Sequence, residues 1–357
     1  MELTLIKVFL PTAMAFSIGI LITPLITHYL YKYRAWKKSA GKGSGYGGGG
    51  TPIFDALHKE RDTNTPRLGG IVIWASVVAT ISILAGLEFL FPDSVFGKLN
   101  FLSRSQTWLP LMALLVGAAV GFIDDLLTIR GDGRHFAGGL PLSQRMFVVM
   151  VTALLSAWWF YDKLDVDTIS FLGFGQIDLG LWFIPAFVFV ALCVYMSSVI
   201  DGIDGLAGGV FMFIFTAYVG IGLWQEQIDI AAFAATVVGG ILAFLWFNVP
   251  PARFYMSETG VMALTMSLTV VAFMTDTLGD GEGVSVLPII GFLLVATVVA
   301  NVAQIMGKRF FGRKVLLVAP LHHHFEAEGW PPYKVTMRYW ILGFVFAVVG
   351  LLLTIGI

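Results

Sequence analysis

Long apolar runs alternate with short polar segments along nearly the whole chain. At about twenty apolar residues per membrane crossing, the pattern predicts ten helices, near residues 5–31, 69–91, 108–127, 142–161, 180–200, 205–224, 229–248, 259–278, 284–306 and 335–357. The first run, from about Leu5 to Leu30, is long and lacks a small-residue cleavage site, so it reads as a span rather than a signal peptide. The expected fold is all-α, a polytopic integral membrane protein forming a single transmembrane domain over residues 1–357. The ninth run carries Pro288 and Gly291 near its start, where a break is expected. No inverted repeat of the kind that would favour a transporter is evident.

Charge orients these spans. If the loops after helices one, three, five, seven and nine are cytoplasmic, they and their flanks hold 18 of the 22 Lys and Arg, leaving only Lys7, Lys98, Arg104 and Lys163 outside. Both termini then lie outside. The first cytoplasmic loop, 32–68, contains a glycine-rich stretch at 41–50, seven of whose ten residues are Gly, behind Arg34, Lys37 and Lys38. It reads as a flexible basic tether. A phosphate-cradling reading of Gly41-Lys42-Gly43-Ser44 lacks the spacing of a P-loop and the strand that precedes one. The last cytoplasmic loop, 307–334, carries a histidine run.

Composition agrees with the bilayer reading: 57% of residues are hydrophobic, 13% are charged and 30 of 357 are Phe. The lone Cys193 excludes an intrachain disulfide and a cysteine-held zinc, leaving a packing role. A net charge of -1 with no basic platform gives nucleic acid no purchase.

With charge so scarce, carboxylates gathered where helices meet the cytoplasmic loops need a reason. Asp124 and Asp125 end helix three; adjacent helical residues diverge by about 100°, so one can hold a metal while the other meets substrate. A solvated helix end, or an ion pair with Arg130 or Arg134, would also explain them. Ser198 to Leu206 reads Ser-Val-Ile-Asp-Gly-Ile-Asp-Gly-Leu, with Asp201 and Asp204 among glycines that permit close approach, although Asp204 could simply cap helix six. After helix seven, Asn248, Tyr255 and Glu258 share a short loop. Tyr255 could stack on a base or serve as an interfacial anchor. In Ala319-Pro320-Leu321-His322-His323-His324-Phe325-Glu326, three consecutive side chains cannot all face one ligand, so distinct jobs such as phosphate contact and packing are expected. Such an oxygen-rich set suits magnesium and a phosphorylated substrate.

These motifs, with Thr65-Pro66-Arg67-Leu68-Gly69-Gly70, Trp246-Phe247-Asn248 and Gly329-Trp330-Pro331, resemble in their order the polyprenyl-phosphate sugar-1-phosphate transferases over nearly the whole chain. Within them the histidine run and Gly-Trp-Pro resemble the phospho-N-acetylmuramoyl-pentapeptide transferase branch. The resemblance implies a bacterial inner (plasma) membrane enzyme with its site on the cytoplasmic face and Mg2+ as cofactor. It further implies UDP-N-acetylmuramoyl-pentapeptide and undecaprenyl phosphate as substrates, lipid I and UMP as products in peptidoglycan synthesis, and a homodimer. On matching positions Asp124 and Asp125 are the paired acids, one proposed to activate or replace the attacking phosphate, and Asp201, Asp204, Gly205 and Leu206 border the nucleotide. Asn248 lies nearby, Tyr255 stacks on uracil, His322, His323 and His324 address phosphates or the sugar-peptide side, and Gln304 sits near the same pocket.

Several positions depart from the family pattern. Ser198 replaces Asn, Glu258 replaces a metal-binding Asp within Met256-Ser257-Glu258, and Arg145 replaces a lysine. A further lysine is missing at Asp62-Thr63-Asn64, with Lys59, Arg61 and Arg67 as substitutes, and the loop after Asp125 is longer, with Gly131, Asp132, Gly133, Arg134 and His135. The alternatives are a sister N-acetylhexosamine-1-phosphate transferase, a non-catalytic lipid- or nucleotide-binding membrane protein, and a transporter.

Overall fold

The computed structural model describes residues 2–38, 64–103, 106–131 and 139–356. The glycine-rich stretch 41–50, Lys59, Arg61, Asp62 and Thr63, and positions 132–135 of the longer loop lie outside the described residues. Each apolar run closes its backbone hydrogen bonds internally as a helix, as a hydrocarbon surround requires. Ten helices among the described residues are long and apolar enough to cross a membrane. In chain order they are α1 (Glu2–Lys32), α2 (Ile71–Leu90), α3 (Trp108–Arg130), α4 (Leu142–Lys163), α5 (Phe183–Met196), α6 (Leu206–Trp224), α7 (Ile228–Asn248), α8 (Ser257–Met274), α10 (Phe292–Phe311) and α12 (Pro332–Ile355). Tight 3-10 turns extend α5 at both ends, so that its span covers Gly180–Ile200.

The expected break in the ninth run is present. A short α9 (Gly283–Ile290) contains Pro288 and stops at Gly291, where α10 begins. Two features were not expected. The loop after α10 folds a short helix, α11 (Leu321–Ala327), which carries the histidine run. Between α4 and α5, β1 (Thr168–Phe171) and β2 (Gly175–Asp178) pair as an antiparallel hairpin, with Thr168 opposite Asp178, so the helical architecture has one small addition.

Helix α8 is the axis of the bundle: 94% of its most apolar stretch is buried, against 22% for α1, α4 and α12. The peripheral helices turn apolar side chains outward, as with Leu21 and Leu25 of α1, an arrangement that lipid satisfies. Helix α3 packs along α8. Glycine permits the approach: a Cβ built on Gly117 would lie 2.6 Å from the Met262 carbonyl oxygen. One turn on, Gly121 faces the Glu258 carbonyl more closely still. This contact sets the C-terminal end of α3, with Asp124 and Asp125, against the N-terminal turn of α8, with Glu258 and Thr259.

Candidate active site

A chamber of about 390 Å³ opens where these helix ends meet. Asp124, Arg145, Ser198, Asp201, Asp204, Asn248, Tyr255, Glu258 and His323 all line it, and so do Lys37, Arg67, Ser257 and Glu326. Segments far apart in sequence are drawn together by backbone pairing. Gly69 and Gly70 donate to the carbonyls of Tyr255 and Met256, and Tyr255 donates back to Pro66, which brings Arg67 to the carboxylates.

Arginines and backbone donors balance the acids. Asp125 is fully buried behind the chamber wall, accepting from Arg67 Nε at 3.2 Å and from the Thr259 N–H and Oγ1 at 2.9 and 2.8 Å. Asp124 accepts from the Leu140 N–H at 2.6 Å, with Arg145 Nε 3.9 Å away. Arg145 Nη1 pairs with Glu258 Oε1, while Glu258 Oε2 is buried without a hydrogen-bond partner. Asp201 accepts from the Ser257 N–H at 2.9 Å. Burial pushes the Asp201 carboxyl up to about 6, against the opposing pull of that N–H and of Arg67.

The donor set fits a hard cation in its chemistry. Asp124, Asp201 and Glu258 line the chamber, Asp124 and Asp201 each use one oxygen on a backbone N–H, and Glu258 keeps a buried oxygen to spare, while both oxygens of Asp125 are taken by Arg67 and Thr259. Among the described residues, however, no three His, Cys, Asp or Glu side chains are grouped closely enough to hold a metal ion. In this arrangement Arg67 and Arg145 carry the compensating charge.

The histidines divide their work, as their adjacency requires. His323 lines the chamber and its Nδ1 lies 2.6 Å from Glu326 Oε2. His322 is buried with its ring 4.3 Å from that of His323. Both approach Gly202, where a Cβ would fall 2.7 Å from His323 Nε2. His324 turns away, meeting the Leu317 N–H at 3.3 Å and Glu328 at 3.4 Å, and lies off the chamber wall.

Residues 107–276 match glycosyl transferase family 4. A phospho-N-acetylmuramoyl-pentapeptide-transferase of Chloroflexus aurantiacus is 32% identical over 309 residues, covering 82% of this chain and 77% of that relative. The chain belongs to the phospho-N-acetylmuramoyl-pentapeptide-transferase family. A family member from Listeria monocytogenes serovar 1/2a is 29% identical over 348 residues, covering 96% of this chain and 97% of its own. One from Chloroflexus aggregans is 31% identical over 309 residues, covering 82% and 77%. Together with the ten apolar helices, membership makes the protein a multi-pass bacterial membrane transferase.

Several residues that the family resemblance places near the substrate make hydrogen bonds or packing contacts that hold the chamber together. Gln304 spends its amide on loop backbone, accepting from the Val315 and Leu316 N–H groups and donating to the Leu316 carbonyl. Gly205 and Leu206 stand behind the wall, Gly205 with a φ of 74° that favours glycine and Leu206 wholly buried. Asn248 ties two loops, accepting from the Gly205 N–H and donating to the Phe254 carbonyl, while still lining the chamber. Asp204 does not cap α6: its carboxylate accepts from the Ala252 N–H at 3.1 Å. Glu326 and Lys37 were not singled out from the sequence. The i, i+3 spacing of His323 and Glu326 was a signal, but only once residues 321–327 are helical.

Proposed function

We propose that the protein transfers phospho-N-acetylmuramoyl-pentapeptide from UDP-N-acetylmuramoyl-pentapeptide to undecaprenyl phosphate, giving lipid I and UMP. The site faces the cytoplasm and both termini lie outside, a reading supported by the bias of Lys and Arg. One observation carries the chemistry: acids from α3, α8 and the Asp201 loop share a chamber with Arg67, Arg145 and a carboxylate-held histidine at the end of a lipid-facing bundle. A diphosphate needs cationic partners and precise placement, and a polyprenyl acceptor needs a site at the edge of the bilayer.

In the reaction a phosphate oxygen of undecaprenyl phosphate bonds to the phosphorus that carries the sugar. The bond from that phosphorus to the bridging oxygen breaks, and UMP leaves with that oxygen and its electron pair. Arg67 and Arg145 are positioned to compensate phosphate charge, and His323, oriented by Glu326, contacts a phosphate oxygen. Tyr255 stacks on uracil, while Asn248 and Asp204 hold the loops around the nucleotide. Asp124, Asp201 and Glu258 would hold magnesium, which when bound would neutralise diphosphate oxygens and ease departure of UMP, while Asp125, expected among the ligands, is engaged by Arg67 and Thr259.

The test is UMP release by the purified protein in detergent with both substrates, with magnesium or with chelator. Magnesium-dependent UMP with a lipid-linked product is the expected result. Folded protein that binds the nucleotide yet releases no UMP overturns the transferase reading. Release from the N-acetylglucosamine nucleotide in preference would overturn the substrate instead.

A further inference from the structure

We propose that the Ser257 hydroxyl is a substrate-contacting group that donates a hydrogen bond to a phosphate oxygen of a diphosphate in the chamber. The proposal rests on reading the chamber as a nucleoside-diphosphate site. Ser257 is the first residue of α8, an 18-residue helix, and it lines the chamber while being only 3% exposed. Its Oγ is buried and has no hydrogen-bond partner. That is notable in its surroundings, because acceptors are abundant: Asp201 takes the Ser257 N–H rather than its O–H, and the neighbouring Glu258 Oε2 is likewise unpartnered. A buried hydroxyl without a partner, in a residue whose backbone N–H is already taken by Asp201, keeps a hydrogen bond in reserve.

The backbone at Ser257 is unusual as well. Ser257 has a φ of 57°, in the left-handed region that non-glycine residues rarely occupy. Glycine would be comfortable there, so the side chain is carried against a conformational cost, a pattern typical of functional positions. The ligand class comes from the proposed function and not from the lining charge, since Asp124, Asp201, Asp204, Glu258 and Glu326 outnumber Lys37, Arg67 and Arg145 around the chamber. The N-terminal end of α8 carries the positive pole of the helix, and Arg67 and Arg145 line the same chamber. At that helix end a phosphate oxygen meets the positive pole of the backbone, and a hydroxyl can donate to it where the surrounding carboxylates cannot.

The experiment uses the full chain in detergent with Ser257→Ala and Ser257→Gly. Affinity for UDP and for inorganic pyrophosphate is measured by calorimetry in the presence of magnesium, alongside unfolding temperature and UMP release. Both variants should bind UDP about tenfold more weakly, as expected for loss of one hydrogen bond to a charged group. S257G should meanwhile unfold at the same temperature as the wild type or higher, because the left-handed backbone no longer carries a side chain. Falling affinity with rising or unchanged stability is a combination that a purely structural serine does not give. UDP affinity within twofold of the wild type in both variants overturns the proposal, as does a wild-type protein that binds neither UDP nor pyrophosphate. A wild type that binds UDP in a Ser257-dependent way but releases no UMP would overturn the transferase reading and leave the serine contact standing.

Discussion

Nδ1 of His323 lies 2.6 Å from Oε2 of Glu326, with both side chains buried at the chamber wall. The carboxylate fixes the ring and turns Nε2 toward Gly202 and the Asp201 loop. A histidine held this way presents one defined nitrogen to a ligand rather than a rotating pair. His323→Ala should lower UMP release by about a hundredfold or more. Glu326→Gln, which keeps a hydrogen-bonding group but loses the charge, should cost about tenfold. His324→Ala, which removes a side chain off the wall, should change turnover little. Initial rates for the three variants at matched stability check this ordering, and an H324A defect as deep as that of H323A would refute it.

The Arg145–Glu258 pair spans α4 and the first turn of α8. Removing one partner leaves the other charge in a partly buried site, a larger penalty than removing both. Arg145→Ala should therefore lower the unfolding temperature more than the double variant R145A/E258Q does. The coupling should be about 1–3 kcal/mol in a double-mutant cycle. R145K should restore stability only partly, since an ammonium lacks the planar fork of the guanidinium. Additive single and double variants would remove this pair from the account of the site.

The sequence made the spans legible because hydrocarbon forces each backbone segment to satisfy itself, so apolar length alone marks a helix. The break between α9 and α10 was legible for a similarly local reason, Pro288 and Gly291. The β1–β2 hairpin was not, because Thr168–Phe171 and Gly175–Asp178 are four-residue strands whose pairing is fixed partly by distant groups such as Asp276. Within the site, residue type announced Asp124, Asp201, Glu258 and His323. It could not distinguish a side chain that lines the chamber from one that ties its loops. Gln304 and Asn248 have the same amide, and only tertiary geometry commits Gln304 to loop backbone and leaves Asn248 on the wall. Arg67 was legible as part of the Thr65 to Gly70 motif and as one of several stand-ins for a missing lysine. Its place beside Asp125 comes from the pairing of Gly69 and Gly70 with the Tyr255 loop, which no local pattern encodes.

The α3–α8 contact predicts a position-dependent response to a single methyl group. Gly117→Ala would push a Cβ to 2.6 Å from the Met262 carbonyl oxygen, and backbone at a helix axis has little room to yield. Overpacking of this kind costs about 1–3 kcal/mol. Gly86→Ala, at a site with nothing within 4 Å, serves as the control and should leave stability unchanged or slightly higher. Because Gly117 lies one turn from Gly121 and two from Asp124, G117A should also reduce UMP release beyond what its lost folded fraction explains. Equal unfolding temperatures for the two variants would refute the close-approach reading.

Asp276, in the loop between α8 and α9, predicts a pH dependence separate from the site. It is 1% exposed and accepts from the Ser170 N–H of β1 and the Val284 N–H of α9, each at 2.8 Å, so it fastens the hairpin to the bundle. Burial pushes its carboxyl up to about 6 in the fold, prevailing over those hydrogen bonds and the ones from Thr277. The unfolded chain, with a carboxyl near 3.8, binds fewer protons between about pH 4 and 6. Stability from this group is therefore fully present below about pH 4 and declines as pH rises to 6, with no further change above. Unfolding temperatures of the wild type and Asp276→Asn, measured in detergent across pH 4 to 7, isolate the contribution as their difference. The wild type should lose ground to D276N between pH 4 and 6 and run parallel to it above. A difference that stays constant through that window would mean that the hydrogen bonds, rather than burial, set the charge of this aspartate.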